Sequence, residues 1–202
     1  RQLSKQEQKG TIKGGFVVVT QAQPKAKATW VMDRAHTSVE FGARHMVITT
    51  VRGRFAKFDV DVDFDEANPE RSRVEARIDA TSIDTKEPQR DAHLRSPDFL
   101  NAEKFPFVTF KSSRIEPRGK GSYNLIGDLT IRDVTREVVL DTTFAGIVKG
   151  PQGDQHAGFT AEVTINRKDF GANWNMVLEA GGWLVGDSVK IIIEAELVKQ
   201  SQ

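Results

Sequence analysis

The chain has 202 residues, 38% of them apolar and 28% charged, with a formal net charge of +1 and no cysteine. This is the size of one domain, large enough to bury a core. The near-zero charge gives nucleic-acid binding no electrostatic support, and the missing thiols exclude disulfide and thiolate chemistry. No run approaches the roughly 20 apolar residues of a membrane-spanning helix.

Residues 1–29 hold six Lys/Arg against the single acid Glu7, which leaves the remainder near −4. Residues 1–28 are rich in Gln, Lys and Gly and read as a basic, mobile N-terminal tail. An added edge strand or a weak membrane-surface contact is the alternative. The apolar run Phe16–Val19 is too short for a signal-peptide core. The chain opens on Arg1 rather than Met, so both a periplasmic and a cytoplasmic location stay open.

From Trp30 the sequence alternates, and residues 29–200 read as one β domain. Val51, Gly53 and Phe55 share a face. The phase slips at Ala56–Lys57, which predicts a bulge and a sharp bend. Phe58, Val60, Val62 and Phe64 then face one way, with Asp59, Asp61 and Asp63 opposite. Val74, Ala76, Ile78 and Ala80 follow, then Tyr123, Leu125, Leu129 and Ile131. Val138, Leu140 and Phe144 come next, followed by Phe159, Ala161, Val163 and Ile165. Val189, Ile191, Ile193, Ala195 and Leu197 form the last row. Turn signals at Ala67-Asn68-Pro69, Pro117–Gly121 and Lys149–Gly153 separate the rows. About eight such strands predict an antiparallel barrel or sandwich. Small residues on the inward rows, such as Gly53, Ala76, Ala161 and Ala195, would leave room for a ligand or accommodate a taper.

One stretch breaks the alternation. RDAHLRSPDFLNAEKFPFVTF, Arg90 to Phe110, carries charge first and then four Phe residues. It predicts a helix between Lys86 and Leu94, a turn around Pro97–Leu100, and the mouth of a pocket. The Gly/Asn-rich segment bearing Trp174 and Trp183 would line an entrance or plug an end of the barrel.

The chemistry on offer is sparse. The four histidines (His36, His45, His93, His156) form no metal-ligand spacing, so no metal site is expected. There is no nucleophile elbow, phosphate loop or dinucleotide fingerprint, and so no cofactor. Arg90, Arg95, Arg132, Arg136 and Arg167 fall at strand ends or loops, where a guanidinium can grip a phosphate or carboxylate.

The run TWVMDRAHTSVEFGARHM, Thr29 to Met46, resembles the opening of the YceI family in its Trp30, Asp33, His36, Val39, Phe41 and His45. VRGRFAKFDVDVDFD, IDATSIDT, RDAHLRSPDFLNAEKFPFVTF, GDLTIRDVTREVVL and NRKDFG follow in family order, extending the resemblance to about Val198. The resemblance implies an all-β, eight-stranded antiparallel, lipocalin-like barrel with a short helical cap. It also implies a polyisoprenoid lipid, such as a quinone or prenyl pyrophosphate, inside the barrel, and often a homodimer. Two features depart from the family. The basic tail lies outside the pattern, and Asp133 stands where a Gly is common; Asp tolerates the positive φ such a turn can need.

The expected function is therefore non-catalytic: carriage or storage of a long amphiphilic lipid. Its tail would lie along Phe41, Phe58, Val60, Val62, Phe110, Leu125, Leu129, Phe144, Phe159, Val163 and Ile191. Its head would sit near His36, His45, Arg90, His93, Arg167 and Trp174, with Phe99 pinning the cap. One alternative is a lipid isomerase or hydrolase with His36 or His93 as general base. Another is a stress-associated structural protein whose interior is filled by its own side chains.

Overall fold

A computed structural model describes residues 29–179 and 181–200. The basic tail of residues 1–28 lies outside the described residues. The strands are β1 (Trp30–Met32), β2 (Ser38–His45), β3 (Thr49–Phe55), β4 (Phe58–Asp63), β5 (Arg73–Asp79) and β6 (Ile83–Asp84). After helix α1 (Pro88–Arg95) come β7 (Phe107–Gly119), β8 (Ser122–Ile131), β9 (Val134–Lys149), β10 (Gln155–Asn166) and β11 (Val185–Lys199). They form a single antiparallel sheet in the order β4-β5-β7-β8-β9-β10-β11-β2-β3-β6, with β1 also paired to β11.

The eight strands expected from the sequence are present, but the structure divides them into 11 segments among the described residues. Two additions, β1 and β6, have only three and two residues, too short for alternation to register. The third segment comes from the break at Ala56–Lys57, where the phase slip lies. That break is more than a bulge. It carries the chain from β3, near one end of the strand order, to β4 at the other. The bend is held by backbone bonds from Ala56 N to Ser82 O (3.1 Å) and from Asp79 N to Lys57 O (2.9 Å). The curled sheet, a half-barrel by its ladders, is therefore spanned covalently on its open side, where β1 also contacts β4.

Alternation decides what faces inward. In β4 and β5, Val60, Val62, Val74, Ala76 and Ile78 are half-buried while Asp59, Asp61, Glu75 and Arg77 are exposed. The inward residues form two cores. One contains Val108, Phe110, Leu125, Leu129, Leu140, Ala161, Ile165 and Phe170 along the wall and towards the cap. The other contains Trp30, Phe64, Ala157 and Leu197 and closes the opposite end.

The helix starts later than the spacing predicts. Lys86 has φ of 62°, outside helical space, and Pro88 supplies the first helical φ. Glu87 caps the turn by accepting from Gln89 N at 3.2 Å. At the β8–β9 turn the left-handed residue is Arg132 (φ 58°). Asp133 is not among the residues of positive φ, so its replacement of a Gly demands no left-handed backbone.

Candidate functional site

Inside the sheet lies a cavity of about 320 Å³, within the range of small-molecule sites (about 300–1,000 Å³). Its wall is almost wholly apolar and draws on every long strand. Of the residues singled out from sequence, Phe41, Val60, Val62, Phe99, Phe110, Leu125, Leu129, Phe159, Val163, Arg167 and Ile191 line it. Ala76, Ala161 and Ala195 also border it, so these small inward residues do leave space. Gly53 does not. A Cβ there would collide with the Phe41 ring and with Thr85, so the room it makes is taken by a neighbouring aromatic ring. Gly127 plays the same part beneath Phe110, whose Cζ would lie 2.7 Å from an added Cβ.

The cap roofs one end. Leu94, Phe99 and Leu100 face the cavity from α1 and the turns after it. Polar contacts beneath them hold the cap down. Asp91 is buried and accepts from Thr85 N (2.9 Å) and Thr85 Oγ1 (2.6 Å). Arg90 donates through Nε to Thr85 Oγ1 at 2.7 Å and through Nη2 to Thr85 O at 2.9 Å. Arg132 donates to Phe99 O (3.2 Å) and Gly171 O (2.7 Å). Arg167 is 6% exposed and donates to the carbonyls of Gly186, Ala172, Trp174 and Val185, with Asp187 Oδ1 at 3.3 Å. Burial lowers the Arg167 pKa and the Asp187 carboxylate raises it in part. Its guanidinium lies 5.9 Å from the Phe99 ring. Arg90 and Arg132 thus position the cap, while Arg167 ties together the carbonyls of Ala172, Trp174, Val185 and Gly186.

The other residues expected from sequence to meet the ligand lie outside the cavity lining. His93 bonds to Asp98 (2.9 Å) and packs edge-on against Phe99 and Trp174, with centroids 5.0 and 4.6 Å away. His93 and Trp174 thus buttress the cap from outside the cavity. Phe58 shares the face of Val60 but sits at the β3–β4 bend, where its carbonyl accepts from Arg34 (2.8 Å). Phe144 stacks on Phe159 (5.0 Å) and meets Phe64 edge-on (5.5 Å) in the closed end. His45 ends β2, opposite Thr49 and Val185.

His36 precedes β2 on the outer surface near the closed end. It pairs with Asp33 (3.0 Å), and Glu196 lies 4.0 Å away. The hydrogen bond with Asp33 raises the His36 pKa and lowers that of Asp33. His156 is held between Glu196 and Asp154, each at 2.6 Å, and its pKa is raised, chiefly by the bond to Glu196. Among the described residues, Asp33, His36 and Glu196 bring ligand atoms within 4.8 Å of one another, close enough to share a metal ion. The same atoms are already arranged as histidine–carboxylate pairs, and the group does not touch the cavity.

Sequence reasoning missed the Thr85–Asp91 pair and the cavity-facing Leu94 and Leu100. A buried Asp inside a charged helical stretch resembles its exposed neighbours until its partner is known.

The YceI-like domain model matches residues 30–197. The chain belongs to the YceI-like family. A UPF0312 protein of Staphylococcus aureus (strain N315), SA2479, is 37% identical over 168 residues, covering 83% of this chain and 95% of that protein. Among solved structures, Burkholderia cenocepacia BcnA is 27% identical with a TM-score of 0.71, covering 82% of this chain and 98% of that one. A Campylobacter jejuni YceI protein is 30% identical with a TM-score of 0.67, covering 79% of this chain and 90% of that one. A polyisoprenoid binding domain from Saccharophagus degradans shares the fold at 11% identity, with a TM-score of 0.62 over 86% of this chain and 100% of that one. The curled antiparallel sheet, with one short α-helix among the described residues, is thus the YceI-like fold. No helix among the described residues is long and apolar enough to cross a membrane.

Proposed function

We propose that this protein binds a long-chain amphiphilic lipid of the isoprenoid class in its barrel and carries or stores it without chemical change. The observation behind this reading is the capped apolar cavity, whose wall offers almost nothing but hydrocarbon and aromatic rings. Each methylene buried there contributes about 0.8 kcal/mol, so a few isoprene units offset several kcal/mol of association cost. A long apolar chain is the ligand that best uses such a wall. The polyisoprenoid-binding relative of the same fold supports the class.

Catalysis is the weaker reading. His93 and His36 each have an orienting carboxylate, but neither lines the cavity where a substrate would lie. An interior filled by its own side chains is disfavoured by the continuous space between the walls.

Solvent extraction of the purified protein followed by mass spectrometry is expected to yield a long-chain lipid. Ala161→Phe, which fills the cavity from its wall, is expected to lower lipid recovery while preserving the fold. Protein from two unrelated hosts that carries no lipid, and takes up neither quinone nor prenyl phosphate, would overturn the proposal.

A further inference from the structure

Beside the cap, the surface is unusually apolar. Met46, Val47 and Ile48, at the β2–β3 hairpin tip, are 38%, 71% and 72% exposed. Met176, Val177 and Trp183, on the loop leading into β11, are 53%, 65% and 51% exposed. The two groups are tied together, since Met46 N donates to Leu184 O at 2.9 Å and Leu184 N to Met176 O at 2.9 Å. Single exposed apolar residues are ordinary, but a cluster of six at one rim marks an interaction surface.

The tip retains these side chains despite an unfavourable backbone. Met46 and Val47 have φ of 50° and 62°, the left-handed region that hairpins normally fill with Asn or Gly. For a β-branched residue this conformation is a true outlier, and such strain collects at functional positions. Several of the tip's backbone groups are also paired. Arg44 donates to Val47 O and Ile48 O, and Ile48 N donates to His45 O at 3.0 Å. Backbone groups paired in this way can enter an apolar medium at little cost. The Arg44 guanidinium sits behind the tip, and Lys168 Nζ lies 5.7 Å from the Trp183 ring centroid while pairing with Asp187. Apolar side chains in front, an aromatic indole and cations behind match the layering of hydrocarbon, interface and phosphate.

The patch adjoins the cavity's roof. Arg167 bonds to Trp174 O on the same loop and to Val185 O at the start of β11, lines the cavity and lies beside Phe99 of the cap.

We infer that this rim inserts into the surface of a phospholipid bilayer and holds the capped mouth against the membrane, where an apolar ligand passes between bilayer and barrel. The purpose assigned to the contact rests on the lipid-cavity reading; the contact itself rests on the surface geometry.

The test is flotation of the full chain with phosphatidylcholine vesicles, whose zero net charge keeps attraction of the basic residues 1–28 small. The wild type is expected to float. Val47→Asn/Ile48→Asn is expected to lose partitioning by about tenfold or more, since two apolar side chains leave the contact. Asn suits the left-handed backbone at position 47, so this variant should melt no lower than the wild type. Trp183 fluorescence should shift to the blue with vesicles and lose that shift in the variant. The inference is overturned if the wild type stays with the aqueous phase or if the variant floats equally well. It is also overturned if light scattering shows a dimer that the double substitution converts to monomer without change in flotation. Uptake of a soluble short-chain prenyl phosphate is measured in parallel. Flotation without uptake would support the docking surface while removing the cavity reading.

Discussion

The two ends of the barrel are closed by different physics. At the far end, Trp30, Phe64, Phe144 and Phe159 pack as rings 5.0–5.5 Å apart, with Leu197 buried among them. This closure is hydrophobic, built from strands and continuous with the sheet. At the cap end, a polar helix with one cavity-facing leucine is held by hydrogen bonds among Asp91, Thr85 and Arg90, and the turn after it by Arg132. Ring packing is lost only when strands separate, whereas a short helix tied by directional bonds can lift while the sheet stays intact. The contrast places the rigid closure at one end and the closure that can lift at the other.

The largest effect is expected at the ring cluster. Trp30→Ala, at a side chain that lies behind the cavity wall, should cost about 3–5 kcal/mol in denaturant unfolding, as for other buried aromatic truncations, with little change in the lipid off-rate. A variant that instead releases lipid faster at nearly unchanged stability would reverse the roles of the two ends. Asp91→Ala comes next. It strands the Thr85 amide and hydroxyl, for about 2 kcal/mol, and should accelerate lipid exchange in a stopped-flow assay. If exchange is unaltered, the cap is not the gate.

Val47→Asn, beside the cap, carries the opposite sign. Relief of the left-handed backbone should raise stability by about 1 kcal/mol, read as a higher melting temperature. The smallest effect belongs to His156 near the closed end. Its raised pKa means that the charged form is favoured in the folded state. The stabilisation is therefore complete below the ordinary histidine value of 6.5 and fades as pH rises through the raised value. Melting curves of His156→Gln should differ from the wild type in mildly acidic buffer and converge at alkaline pH. A constant difference would show that the histidine acts through packing rather than charge.

Strand rows were legible because one face of each strand is wet. Val60 and Val62 against Asp59 and Asp61 leave no doubt about direction. The same logic found most of the cavity wall, including Leu125, Leu129 and Ile191. It failed where a position's use depends on a partner distant in sequence. Gly53 looks like free volume until Phe41 and Thr85 are placed over it. Arg90 and Arg167 look like grips for a ligand head group until their donors meet Thr85 and the 172–186 carbonyls. His36 and His93 have the chemistry of a head-group site, yet both sit on the outside. Alternation reports which face is inward, but at the ends of the strands there is no face left to read.

The pairing of Trp30 with Lys199, residues 169 positions apart, sets a limit on the order of assembly. The closed end needs the first described strand and the last one together, so ring packing there waits until β11 has been synthesised. Until then the intermediate strands present unpaired edges and an uncovered greasy interior, the condition in which chains associate with one another. Folding of this barrel is accordingly expected to be slow and non-local, and a chain cut before Leu197 should be recovered as aggregate rather than as a smaller barrel.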